Sequence, residues 1–142
     1  RRAVIVDDER LVRRELRALL AAQPGVAVVG EAETVAAAAE VARAAEADVV
    51  FLDVQLEGQL GFDLLPLLEP GVAVVFVTAH DRHAVRAFES NALDYLLKPV
   101  TPERLARALA RLERAGAAPP PPAEAALSYD DFLFLQVDGR MR

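Results

Sequence analysis

A doubly wound α/β sandwich on a parallel sheet is the architecture this sequence predicts, and three observations predict it. Five short apolar runs of β character recur along the chain, and the gaps between them hold longer stretches of helical period. The runs are continuous rather than alternating in apolar character, the pattern of strands buried on both faces. Parallel strands joined by right-handed crossovers then place helices on both sides of the sheet.

The first run, residues 3–6, leads into a helical stretch over 9–22. There Val12, Leu16, Leu19 and Leu20 fall at i, i+4, i+7 and i+8 and line one face. Further strands are predicted at 26–30, 48–52, 72–77 and 93–97, with helices at 34–46, 60–68, 82–89 and 101–114, giving five βα units. Thr101 offers a capping hydroxyl ahead of Pro102, and Leu105, Leu109 and Leu112 continue the buried stripe of the last helix. Pro66 removes an internal hydrogen bond and is expected to kink or shorten the third helix.

The consecutive prolines Pro119 to Pro122 make 115–126 read as a non-helical, stiff, extended linker. Beyond it, Phe132-Leu133-Phe134-Leu135-Gln136-Val137 before Asp138-Gly139 reads as a strand entering a tight turn. Apolar groups point to both faces of that strand, so it is expected to pair with, or exchange into, a neighbouring molecule. The organisation predicted is a sandwich over 1–115, a Pro/Ala-rich linker over 116–126 and the start of a truncated second domain over 127–142.

Composition narrows the function. The 142 residues are 54% hydrophobic and 27% charged, enough for one core and a soluble surface. A net charge of −6 opposes non-specific binding to nucleic acid phosphates. With no cysteine in the sequence, disulfides, thiolate catalysis and cysteine-ligated zinc are excluded. No apolar run approaches a membrane span, so a soluble, cytoplasmic protein without membrane contact is expected.

Open parallel sheets bind ligands beyond the carboxyl ends of their strands. The predicted strand ends here lead into Asp7-Asp8-Glu9, Asp53, Thr78-Ala79 and Lys98-Pro99. Clustered carboxylates repel one another, and a hard divalent cation such as magnesium relieves that repulsion through oxygen ligands. Asp53 is then placed to attack phosphorus, with Lys98 offsetting charge and Thr78 donating a hydrogen bond. Asp7-Asp8 alone would read as helix capping, and a single Asp, Thr or Lys as a loop residue. Four strand ends each carrying a group needed for one reaction favour the site. His80 and His83 form an HxxH, but two ligands without a third do not define a metal centre.

Val6-Asp7-Asp8-Glu9, Phe51-Leu52-Asp53-Val54 with Gly61 eight residues on, Val77-Thr78-Ala79 and Asp94-Tyr95-Leu96-Leu97-Lys98-Pro99 together resemble the receiver domains of bacterial two-component response regulators, over about residues 3–115. The resemblance implies a flavodoxin-like sheet of strand order 2-1-3-4-5 flanked by five helices. It implies phosphorylation of Asp53 by a sensor histidine kinase, and Mg²⁺ held by Asp7, Asp8, Asp53 and the Gln55 backbone carbonyl. Thr78, the Ala79 backbone and Lys98 match phosphate-binding positions, and Thr78 and Tyr95 match the switch pair, whose aromatic member turns inward on activation. It also implies a cis Lys98-Pro99 bond. Glu57 departs from the pattern, standing where the family usually has proline.

Residues 87–100 are similar to receivers attached to LytTR-type DNA-binding domains, and 134–140 to the first strand and turn of such a domain. That implies transcription control by the parent protein, a phosphorylation-dependent homodimer, and DNA contact only through the second domain. The chain is thus expected to be a signalling phosphoacceptor and not a turnover enzyme. The competing readings are a pseudo-receiver that serves only as an interaction module and a phosphatase of the haloacid-dehalogenase type. The latter requires a DxDx[TV] nucleophile that Asp7-Asp8-Glu9-Arg10-Leu11 lacks, and no GxGxxG follows the first strand to support dinucleotide binding.

Overall fold

The structure, a computed structural model, describes residues 1–117. β1 (Arg2–Val6) is the seed of the sheet: Ala3, Val4, Ile5 and Val6 are all buried, as a run of alternating-face apolar side chains demands when helices cover both sides. It pairs in parallel with β2 (Ala27–Ala32) on one side and β3 (Val49–Leu52) on the other. β6 (Ala73–Thr78) and β7 (Asp94–Leu97) extend the sheet to the order β2-β1-β3-β6-β7. A hairpin of β4 (Gln55–Leu56) and β5 (Gln59–Leu60) lies outside it, so the five main strands run 2-1-3-4-5 in their own sequence order, as expected.

The strand period of two splits the core in two. Val4, Val6, Val50, Leu52 and Phe76 point to a face covered by α2 (Val35–Ala44), a 3₁₀ helix (Gly61–Leu67) and α3 (Ala84–Glu89). Ala3, Ile5, Val49, Phe51, Val75 and Val77 point to the other, where α1 (Arg10–Ala21) brings Leu16 and Leu20 and α4 (Pro102–Ala117) brings Leu105, Ala108 and Leu112. Of the stripe expected on α1, Leu16 and Leu20 are fully buried while Val12 and Leu19 remain half-buried at its edge. Thr34 caps α2 by accepting from the Ala37 N–H at 3.1 Å.

Two expectations are corrected. The third helix, expected over 60–68, is a 3₁₀ helix with Pro66 inside it, because proline cannot donate the hydrogen bond that a longer α-helix would need there. The stretch before it, to which the sequence assigned no element, is a hairpin turned at Glu57-Gly58 with Gly58 at φ 72°. The last helix runs to Ala117, two residues into the stretch read as linker, because no proline intervenes before Pro119. The remainder of the 116–126 linker and the strand and domain start read at 127–142 lie outside the described residues. No helix among the described residues is long and apolar enough to cross a membrane.

Candidate functional site

Sheet register brings the acids together. Val6 is level with Leu52, so Asp7 and Asp53 leave neighbouring strands side by side, and the Asp53 N–H donates to the Val6 carbonyl at 3.0 Å. Thr78 is level with Leu97, which sets Lys98 one step beyond, its N–H on the Thr78 carbonyl at 2.8 Å. The Lys98-Pro99 bond is cis, as expected. Asp7, Asp53 and Thr78 are three of the four buried polar residues of the described chain, with exposures of 2%, 7% and 1%. Burying such groups carries a free-energy penalty that folding alone does not require, so they mark a site.

One carboxylate oxygen from each of Asp7, Asp8 and Asp53 lies within 4.8 Å of the others. Oxygens about 2.0–2.6 Å from a magnesium or calcium ion stand roughly 4–5 Å apart at most, so this spacing suits such an ion. Charge agrees with geometry. Lys98 Nζ donates to Asp7 Oδ2 at 2.9 Å and to Asp53 Oδ2 at 3.0 Å, and three carboxylates against one ammonium leave the excess negative charge that a divalent cation neutralises. The remaining oxygens of the pair are held by backbone: Glu9 N–H on Asp7 Oδ1 at 2.9 Å and Gln55 N–H on Asp53 Oδ1 at 3.2 Å.

Burial pushes the Asp7 carboxyl above the usual carboxylate range, helped by Asp53 and only partly offset by the Glu9 amide and Lys98. Lys98 shifts upward too: burial opposes its charge, but its bonds and attraction to Asp7 and Asp53 outweigh that. The two directions agree physically, since the ammonium receives two carboxylates while each carboxylate receives a shared ammonium.

Thr78 Oγ1 accepts a long hydrogen bond, 3.4 Å, from the His80 N–H. The Tyr95 ring is already inward, 1% exposed and 6.3 Å from the Phe76 ring centroid, and its hydroxyl donates to the His80 carbonyl. Burial pushes the Tyr95 hydroxyl up to about 12. Thr78 and Tyr95 are thereby tied to one loop residue from two strands. Ala79 is exposed at the mouth, and Gln55 opens the hairpin beside Asp53. Glu57 is exposed at the hairpin tip. His80 and His83 join no three-residue ligand group among the described residues, and His83 packs edge-on to Phe62 with ring centroids 6.2 Å apart.

Two features escaped the sequence. Asp94 is buried and meets Arg104 at 3.4 Å and Arg111 at 3.8 Å, fastening α4 to β7. Arg13 donates to the Asp7 carbonyl at 2.6 Å. The i, i+4 spacing of Arg13 and Arg17 was visible, but the partner they share, Glu31, sits on another strand.

A doubly wound sheet with an acid pocket at its carboxyl edge is the arrangement of a signal receiver fold, and the chain belongs to the response regulator receiver domain family, which residues 3–110 match. Among its relatives, a response regulatory protein of Vibrio cholerae is 46% identical over 114 residues, 79% of this chain and 48% of the relative. The sensory transduction protein LytT of Bacillus cereus is 40% identical over 116 residues, 80% of this chain and 47% of the relative, in accord with the LytTR-type resemblance. The chain spans about half the length of the curated relatives it matches. In structure it is similar to the response regulatory domain of protein mrkE from Klebsiella pneumoniae, with a TM-score of 0.72 and 30% identity over 81% of this chain and 97% of that one.

Proposed function

We propose that this domain accepts a phosphoryl group on Asp53 from a sensor histidine kinase and so switches the output of a transcription regulator. The observation that carries the reading is the convergence of Asp7, Asp8, Asp53 and Lys98 at one sheet edge, with excess negative charge. Asp7, Asp8, Asp53 and the Gln55 backbone carbonyl would hold Mg²⁺, which when bound supplies charge neutralisation and orientation for the phosphoryl oxygens. An Asp53 carboxylate oxygen attacks phosphorus, an O–P bond forms as the P–N bond to the kinase imidazole breaks, and the leaving imidazole regains a proton from solvent. Lys98 leaves its bridge between Asp7 and Asp53 to pair with a phosphoryl oxygen, while the Thr78 hydroxyl and the Ala79 N–H donate to the others. The domain acts as a stoichiometric acceptor and not as an enzyme with an external substrate.

The Thr78 hydroxyl and the Tyr95 ring share the His80 loop, so drawing Thr78 toward a phosphoryl group alters what holds that loop and the neighbouring α3 and β7 surface, where a homodimer forms. Control of transcription in the cytoplasm through a LytTR-type DNA-binding domain rests on the resemblance of 134–140 and on relatives about twice as long. Incubation with acetyl phosphate and Mg²⁺ tests the reading: intact mass should show one phosphoryl adduct, absent from Asp53→Asn, whose amide is no nucleophile. No uptake by the wild type would favour the pseudo-receiver reading. Full labelling of Asp53→Asn would move the acceptor elsewhere.

A further inference from the structure

We propose that Arg13 is a positioning residue for the acid pocket, orienting the peptide group that leads into Asp8 and thereby setting divalent-cation affinity; this rests on the phosphoacceptor reading of the site. Asp8 is the one member of the acid cluster that no hydrogen bond or ion pair holds by its carboxylate among the described residues. Asp7 is tied to Lys98 and to the Glu9 N–H, and Asp53 to Lys98 and the Gln55 N–H. The direction of the Asp8 side chain therefore depends on its backbone, and first on the peptide group joining Asp7 to Asp8.

That peptide group is held through its oxygen by Arg13 alone among the described hydrogen bonds. Arg13 Nη1 donates to the Asp7 carbonyl at 2.6 Å, while the Asp7 N–H on the other side is fixed to the Ala32 carbonyl of β2 at 3.1 Å. The guanidinium is aimed by a second bond, from its Nε to Glu31 Oε1 at 3.1 Å. Arg17, one turn further along α1, donates to Glu31 Oε2 at 2.6 Å, so the carboxylate is gripped from both sides. Although Glu31's own burial opposes ionisation, the two arginines hold it below the usual carboxylate range.

Exposure separates Arg13 from a surface ion pair. Its side chain is 11% exposed against 48% for Arg17, although both meet the same acid. An exposed pair contributes little, whereas a buried guanidinium that bridges a carboxylate and a backbone carbonyl fixes geometry. The guanidinium makes the two bonds from two separate nitrogens, Nε to Glu31 and Nη1 to the Asp7 carbonyl, and the single nitrogen of a lysine in its place cannot stand at both positions.

The experiment measures Mn²⁺ binding to the full chain by electron paramagnetic resonance, beside the Mg²⁺ dependence of acetyl phosphate labelling. Arg13→Met should raise the Mn²⁺ dissociation constant roughly tenfold, the low end of what losing a group that orients a metal ligand costs a site. The Mg²⁺ concentration for half-maximal labelling should rise by the same factor, with the rate at saturating Mg²⁺ unchanged. Arg13→Lys should behave like Arg13→Met, and Arg17→Met like the wild type. If Arg13→Met does not fold by circular dichroism, Arg13→Lys decides the question. Wild-type affinity in Arg13→Lys, or equal losses in Arg13→Met and Arg17→Met, would overturn the positioning role. A wild type that itself binds no Mn²⁺ and takes no label would overturn the phosphoacceptor reading, and the positioning role with it.

Discussion

Gly61 gives the sharpest test of how the hairpin and the acceptor are joined. Its N–H donates to the Val54 carbonyl at 2.6 Å, and a Cβ added there would stand 2.2 Å from the Asp53 backbone oxygen and 3.1 Å from Leu52 Cγ. Ordinary contact begins near 3.4 Å, so Gly61→Ala overlaps a backbone atom by more than 1 Å. Neither side yields easily. Moving Gly61 outward breaks its bond to Val54, while moving the Asp53 peptide strains the Asp53 N–H bond to Val6 that keeps β3 in register with β1.

Overpacking a closed site costs about 1–3 kcal/mol, and a backbone obstacle places this substitution near 3 kcal/mol. For a domain of this size 1 kcal/mol moves the melting midpoint by roughly 4 °C, so a fall of about 12 °C is expected. Labelling should also slow, since relief of the clash displaces Asp53. Thermal melting followed by circular dichroism, with intact-mass labelling in parallel, measures both. Gly58→Asn is the control: Gly58 has the positive φ that asparagine tolerates, with nothing within 4 Å of the added Cβ, and should lose little. A melting midpoint for Gly61→Ala indistinguishable from the wild type's would refute the close approach.

Two further outcomes follow from the site. Asp8→Ala should weaken Mn²⁺ binding while raising the melting midpoint without metal, because it removes one ligand and one of the mutually repelling charges; an unchanged Mn²⁺ titration would remove Asp8 from the ligand set. Tyr95→Phe should cost about 1–2 kcal/mol near neutral pH by leaving the His80 carbonyl without its donor. The pH dependence has a definite sign: the folded Tyr95 hydroxyl titrates at about 12 against 10.0 unfolded, so its contribution is complete below pH 10 and is lost as the pH rises toward 12. Unfolding free energies from urea titrations across that range should fall more steeply for wild type than for Tyr95→Phe, by about 1.4 kcal/mol per pH unit at most, and parallel curves would contradict the assignment.

The sequence by itself determined the sandwich, the five main strands and the acidic, hydroxyl and ammonium residues that the strand ends carry. Strand burial on both faces leaves a direct trace in continuous apolar runs such as 3–6 and 49–52, and polar residues at the ends of four of the five main strands are conspicuous against them. Local chemistry also marked the trouble at Pro66. What only the tertiary structure decided are the contacts between segments distant in the chain. Lys98 reaches Asp7 across 91 positions, and Glu31 selects Arg13 across 18, because strand register, which no local pattern encodes, sets which side chains meet. The hairpin at 55–60 was hidden for the related reason that Gln59 and Leu60 carry no strand signal of their own. Their arrangement is fixed by Leu56 entering the core, by Gln59 accepting from the Val35 N–H at 3.0 Å, and by Gly61 closing on the carbonyl of the residue proposed to carry the phosphoryl group.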